Sequence, residues 1–414
     1  MSAAVGERIE RICEYSDRLP GSDAERRLTN ALAAELEADG MRVEVETAWV
    51  HPQWPIVHLL HCLVAIAGSV VAPVAPVAGF ALVLAAATSA HLDLSARLYL
   101  LRGLLFRRAS QSLHARGEAD AAGERVILCA NLDAPRTGAV YNRGPMRLLD
   151  AAARRLPVAS SPTRIWFWSI ALLLVPVGAR MAGLDAAWLD YVQLAPTLVL
   201  IVACFALGEI ALSPASPGAN ANASGVAAAL AATRQLAADP PDWLEVELLL
   251  FGGGETTMEG MSSFLRAHRK DLDRERTRFI SFESVGRGEP GFAVSGGLAV
   301  SLPFDRELVD ACTAVAAARE DEERRAEPFR DVRATAATVA RTHRRRAIAI
   351  TCREAGRALP EGHHTPGDLP ATVDPGAVEA AARLAADAIR LLDRDLGRER
   401  PHALASSADR RDDQ

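Results

Sequence analysis

The sequence predicts an α/β protein: a mostly parallel sheet flanked by helices, with two inserted transmembrane helical hairpins. Short apolar runs at 125–130, 244–251, 279–285 and 347–351 alternate with helical patterns and end in turns, as in a parallel α/β sheet. Acids, amides and a histidine collect just after these runs, where parallel strands bring their C-termini to one edge. Two much longer apolar stretches, near 56–92 and 164–210, fit neither strands nor ordinary soluble helices.

The 414 residues leave room for a large core, and half are hydrophobic, concentrated in those two stretches. A net charge of -6 gives no basic field to attract nucleic acid, so none is expected as a partner. Cys13, Cys62, Cys129, Cys204, Cys312 and Cys352 form no C-x-x-C pair, and the scatter fits a reducing compartment better than a disulfide framework. Cys129 and Cys352 could each supply a nucleophilic thiol, but a small core residue is the plainer reading. The polar start of the chain predicts no cleavable signal peptide.

In chain order, residues 5–39 carry two helical faces, Ile9, Ile12 and Cys13, then Leu28, Leu32 and Leu36, separated by the turn at Leu19–Ser22. Gly40 ends the second, and Met41, Val43 and Val45 alternate as a strand. Residues 56–90 then run without Asp, Glu, Lys or Arg. One helix of that length would reach roughly 50 Å, against a hydrocarbon core of about 30 Å. Pro73 and Pro76 at its centre therefore divide it into two membrane helices; a buried soluble hairpin is the alternative. Residues 94–108 interleave apolar positions with Arg97, Arg102, Arg107 and Arg108 and suit an amphipathic segment on the membrane surface.

The second hairpin spans 164–210, flanked by Trp166, Trp168, Trp188 and Tyr191, with Arg180 and Asp190 at its turn. Arg97, Arg102, Arg107, Arg108, Arg154, Arg155 and Arg164 lie between the hairpins, so the positive-inside rule places the soluble domain in the cytoplasm, on an integral, multi-pass membrane protein. That domain comprises 1–50, 110–155 and 214–395; helices are expected over 306–327 and 375–395, and a disordered tail over 396–414. Gly286-Arg-Gly-Glu-Pro-Gly291 matches G-x-G-x-x-G, but Pro290 and the strand pattern after it argue against a phosphate loop. Arg344–Arg346 reads as a solvated basic turn that could also meet anionic headgroups.

Five strand-end stretches carry the chemistry. They are Asn131-Leu-Asp133, Gly218-Ala-Asn-Ala-Asn-Ala-Ser-Gly225, Gly254-Glu255, Glu283, and His363-His364-Thr365-Pro366. Two carboxylates and a histidine suit zinc, and a small-residue loop at a helix N-terminus lets backbone approach something bound. In this order the stretches resemble the zinc-dependent exopeptidases of metallopeptidase family 28, which include bacterial aminopeptidases. That family runs His-x-Asp, Gly-Ala-Asp-Asp-Asn-Ala-Ser-Gly, Glu-Glu, Asp, then Tyr-His-Thr-Pro. The Leu19-Pro-Gly-Ser-Asp-Ala-Glu-Arg26 and Val373-Asp-Pro-Gly-Ala-Val378 segments are similar to it as well.

The resemblance implies a fold with up to two zinc ions, and the departures fall on the reactive atoms. Asn131 stands where the family has a histidine ligand, and Ala221 where it has the bridging Asp. Gly254 stands at the general-base position. Glu255, Glu283 and His364 match ligand positions, and Asp133 matches the residue that orients the missing histidine. No position has an intact catalytic group. Two protein ligands per metal fall short of the three usual at catalytic zinc, and loss of the base alone removes roughly 10² to 10⁴ in rate. The expectation is a membrane-anchored, catalytically inactive metallopeptidase-like protein that binds a peptide or protein partner, with zinc weak or absent. The alternative is an active aminopeptidase or amidohydrolase with a rearranged or mononuclear site, in which Glu259 serves as base or Asp133 as ligand. A transporter is disfavoured, because the apolar helices carry Arg180, Asp190 and Glu209 only at their ends.

Overall fold

The computed structural model describes residues 2–117, 123–156, 159–319, 325–333 and 335–409. Two helices, α1 (Ser2–Glu14) and α2 (Asp23–Ala38), lead into strand β1 (Arg42–Val50). The Ser22 hydroxyl caps α2 by accepting from the Glu25 amide. The first apolar stretch forms α3 (Trp54–Val71) and α4 (Pro76–Leu94), followed by β2 (Arg108–Arg116), β3 (Arg125–Asn131) and α5 (Arg143–Ala153). The second forms α6 (Pro162–Met181) and α7 (Trp188–Leu212), followed by α8 (Ser224–Ala238), β4 (Glu245–Phe251) and α9 (Glu259–Ala267). Next come β5 (Thr277–Phe282), β6 (Glu289–Ala293), the small ribbon β7 (Ser295–Gly296) with β8 (Leu302–Pro303), and α10 (Arg306–Ala318). The chain closes with β9 (Glu327–Phe329), α11 (Ala336–Thr342), β10 (Arg346–Arg353) and α12 (Pro375–Asp409).

Eight strands make one sheet in the order β1-β2-β4-β3-β5-β10-β6-β9. The central β4-β3-β5-β10 are mutually parallel, as the continuously apolar runs predict. The edges are mixed: β2 is antiparallel to both β4 and β1, and β6 is antiparallel to β10. Ile9, Leu28, Val226, Leu230, Ile389 and Leu392 fill one face of the sheet, while Met261, Phe264, Phe279 and Ala337 fill the other. Helices therefore cover both faces, and the C-termini of the parallel strands are free to hold a site.

The first apolar stretch folds back at Pro73 and Pro76 and the second at the turn around Gly183, with Pro176 and Pro196 inside α6 and α7, giving four helices long and apolar enough to cross a membrane. Small residues let α3 and α4 meet closely: a Cβ on Gly79 would lie 2.6 Å from the Ala72 Cα. Polar contacts stitch α3, α6 and α7 together. Ser69 bonds Thr197 at 2.8 Å, Gln193 donates to the Ser69 carbonyl at 2.6 Å, and Arg180 pairs with Asp190 across the α6–α7 turn. Leu194, Leu198, Val202 and Phe205 on α7 face outward with nothing covering them.

Several sequence expectations are corrected. Arg102, expected on a membrane surface with the rest of residues 94–108, turns inward and is fully buried. It holds Asp93 at 2.8 and 2.6 Å, the Thr256 carbonyl and Thr257 hydroxyl at 2.7 Å, and Glu259 at 3.2 Å. Leu98, Leu100, Leu104 and Phe106 beside it are exposed. Strand β2 was not legible, because it buries polar side chains through hydrogen bonds, Ser110 on Glu25 and His114 on Glu247, and not through hydrophobicity. Helix α10 ends at Ala318, and Glu327–Phe329 is strand β9. The polar composition from 396 does not stop α12, which continues through Gly397 and Pro401 to Asp409, and residues 410–414 of the expected tail lie outside the described residues. Arg345 and Arg346 do not point to headgroups: Arg345 is buried on the Leu272 carbonyl, and Arg346 pairs with Asp305 and Glu307.

Replacing Arg102 by Met should leave Asp93 and Glu259 buried without their cation. Loss of one partner from a buried ion pair costs about 3–5 kcal/mol. Denaturant unfolding of the detergent-solubilised chain should show a loss of that size, while Arg107→Met should be near neutral.

Candidate functional site

All the strand-end residues named from the sequence sit at the C-terminal edge of the parallel strands. Asn131 closes β3, with Asp133 two residues on; Gly254 and Glu255 follow β4, Glu283 follows β5, and His364 lies in the loop after β10. Ala221 lies in the turn that leads into α8.

Asp133 is fully buried and fixes the site's backbone. One carboxylate oxygen accepts from the Gly254 amide and the other from the Glu255 amide, each at 2.7 Å. Burial pushes its carboxyl up from the ordinary range, and the two amides oppose that shift. The Asn131 side chain is turned into the protein and donates to the Asp133 carbonyl at 3.1 Å. Gly254 lies directly against it: a Cβ there would come 2.4 Å from the Asn131 Cβ. Gly254 therefore carries no carboxylate and is packed from behind by Asn131.

The glycine-flanked loop is occupied from within. The sequence suggests that this backbone approaches a bound group; instead, the amides of Asn220 and Ala221 donate to the two oxygens of Asp368 at 2.7 and 3.0 Å. Gly218 starts the turn at φ 65°, a left-handed conformation that suits glycine. Asn222 donates to the Asn131 carbonyl and accepts from Arg18 at 3.0 Å. Ala221 presents only its methyl group, and Asp368 supplies the carboxylate, two positions after the Thr365-Pro366 pair read from the sequence.

Glu255 and His364 come together, with Oε2 3.7 Å from Nε2. Burial, and then Asp133 and Glu283, hold the Glu255 carboxyl well above its usual range. Burial pushes Glu283 up to about 7, with Arg333 opposing and Asp133 adding to the shift. His364 and His363 stack at 3.7 Å, and both are pushed well below the usual imidazole range by burial and by Arg333. The ring of Tyr141 meets His364 at 4.8 Å, and burial raises its phenol to about 12.

Arg333 is the residue that sequence reasoning missed. It donates to His363 Nε2 at 2.6 Å and lines the same cavity as Glu255, Glu283 and His364, where it contributes the positive charge that a metal would otherwise supply. No motif announces it, since it is one arginine among many in an irregular stretch. The cavity is about 80 Å³ and is roofed by Trp54 and His58 from α3 and by Ser161, Pro162 and Thr163 at the start of α6. A groove of about 890 Å³ beside it shares Arg333 and is lined by Arg330, Arg353 and Arg357.

Zinc would meet Glu255, Glu283 and His364 around this cavity, of which Glu255 and His364 are the pair in close approach. Glu255 and His364 are two close ligands where three are usual. Among the described residues, the one trio whose ligand atoms lie within 4.8 Å of one another is elsewhere, at Glu44, Glu46 and His114. Cys129 does not supply a nucleophile, because it lies in the core and burial pushes its thiol far up. Cys352 is likewise buried, its thiol 3.0 Å from the Val285 carbonyl. The backbone around the cavity is unusual: Thr257, Met258, Ser284 and His364 all have φ between 53° and 62°. Such strain collects at functional sites.

The fold and this edge-of-sheet site together define a zinc-exopeptidase-like α/β class. Residues 202–389 match the family model described as Peptidase family M28. Among solved structures, the chain is similar to a Bacteroides thetaiotaomicron glutaminyl cyclase bound to N-acetylhistamine, with a TM-score of 0.53 and 13% identity over 94% of this chain and 97% of that one. A Zn-dependent exopeptidase from Parabacteroides distasonis aligns with a TM-score of 0.53 and 11% identity over 95% and 97%. A leucine aminopeptidase precursor from B. thetaiotaomicron aligns with a TM-score of 0.52 and 13% identity over 94% and 97%. A comparison with curated protein sequences gives no match. At these identities the likeness establishes the fold, and it makes zinc the metal to test.

Two outcomes follow from the geometry. Gly254→Ala should destabilise the chain by about 1–3 kcal/mol through overpacking against Asn131, and Asn131→Gly should relieve most of that cost in the double variant. Thermal unfolding of the four chains of that cycle measures it. Glu283 holds its proton more tightly when folded, so its contribution to stability falls as pH rises from about 4.5 to about 7 and levels off above. Glu283→Gln should flatten the pH dependence of the melting temperature across that window.

Proposed function

We propose that the chain is a membrane-anchored relative of the M28 peptidases that has lost hydrolysis and works as a binding or scaffold module. The observation that carries this reading is the Gly254–Asn131 contact, which fills the place of the general base. Arg333 supports it by bringing a fixed cation to Glu255 and Glu283. The cavity is small, whereas the adjoining groove, about 890 Å³, has the volume of a ligand site, and its five arginines beside Asp150, Glu289, Glu327, Asp331 and Glu354 offer both signs of charge to a peptide. Membrane anchoring rests on the four apolar helices and on the uncovered apolar face of α7, which is far larger than isolated surface hydrophobics would make. Arginine placement orients the domain to the cytoplasm.

The strained backbone at Thr257, Met258, Ser284 and His364 favours a second reading, an active aminopeptidase or amidohydrolase with a rearranged or mononuclear metal site. Aminoacyl-p-nitroanilide hydrolysis by the detergent-purified full chain, with and without added zinc, separates the two. Release no faster than the protein-free control at every zinc level is expected. Zinc-dependent release that disappears in Glu255→Ala would overturn the first reading in favour of the second.

A further inference from the structure

Away from the strand ends, the antiparallel pair β1–β2 carries a second cluster of ligand-type side chains. Glu44 on β1 stands directly opposite His114 on β2, and Glu46, two residues along β1, shares its face. Their ligand atoms all lie within 4.8 Å of one another. His114 is 3% exposed, and its Nε2 is engaged by the buried Glu247 of β4 at 2.5 Å. A carboxylate at Nε2 fixes the proton there and leaves the lone pair on Nδ1, which is buried with no hydrogen-bond partner. That is the arrangement seen at metal-binding histidines, whose second nitrogen donates to a carboxylate. Helix α9 closes the cluster: His268 reaches Glu46 at 2.7 Å, and its ring lies 5.9 Å from that of His114.

From this geometry we infer a divalent-cation site at Glu44, Glu46 and His114, with Glu247 orienting the imidazole. Two carboxylates and one imidazole are a borderline, mixed nitrogen–oxygen set that suits zinc, and the fourth position falls to His268 or water. The two carboxylates balance the ion's charge. Arg116, which pairs with Glu44 at 2.8 Å, is partly exposed and can give way to solvent. The ion would bind the sheet edge to α9, the helix that follows the Gly254–Glu255 loop, so its role is structural or regulatory. The site shares no residue with the strand-end cavity and stands whether or not the chain hydrolyses anything.

The test uses the full chain in detergent, stripped with a chelator and titrated with Zn²⁺ against a chromophoric competitor. One zinc per chain is expected; it should be lost in His114→Ala and in Glu44→Gln/Glu46→Gln, and weakened roughly 10- to 100-fold in Glu247→Gln. The Glu255→Gln/His364→Ala variant should retain it. Should His114→Ala fail to fold, Glu46→Gln, at a half-exposed position, gives the same answer at lower structural risk. The inference is overturned by zinc that persists in Glu44→Gln/Glu46→Gln, by zinc that is lost only in Glu255→Gln/His364→Ala, or by no binding at all.

Discussion

The buried carboxylate of Asp133 is the contact on which the site depends. It joins the end of β3 to the loop after β4 by accepting two consecutive amides. A carboxylate receiving two such bonds is worth more than two neutral ones, and removing it would leave both donors unpaired in the interior. With that loop held, Gly254 is pressed on Asn131 and Glu255 is turned to His364. The glycine-flanked turn beside it is fixed in the same way by Asp368 and Arg18. These hydrogen bonds hold the shape of both loops from within the chain.

The apolar helices are joined to the α/β domain by charge as well as by chain. Arg102 ties the end of α4 to Thr256 and Glu259 at the start of α9. Arg164, near the start of α6, is buried on Asp331, the Gly297 carbonyl and Ser301. Two of the seven arginines that set the expected orientation are therefore committed to internal pairs. His58 lies 3.5 Å from Asp93, so the polar chain from Arg102 reaches into α3 and the roof of the cavity. The hairpins are thus parts of the site's surroundings, and a change in their packing would reach it directly.

Periodicity and composition made the parallel core legible, because a strand buried on both faces must be apolar throughout and β3, β4, β5 and β10 are. The same logic hid β2, whose buried Ser110 and His114 find partners only once distant strands and helices are in place. At the site, residues in a known order were readable, whereas interactions set by three-dimensional proximity were not. Asp133 could be named, but not its grip on two amides. Gly254 could be seen as a missing acid, but not as a surface packed on Asn131. Arg333 and the Glu247–His114 pair arise from elements far apart in the chain and leave no local pattern.

On the proposed reading, the strand-end cavity holds the Arg333 guanidinium in place of a catalytic metal. Anomalous diffraction at the zinc edge, from crystals of the full chain equilibrated with zinc, tests it most directly. The account predicts Arg333 in ordered density against His363, with no anomalous peak among Glu255, Glu283 and His364. A zinc peak coordinated there by Glu255 and His364, with Arg333 displaced, would contradict it.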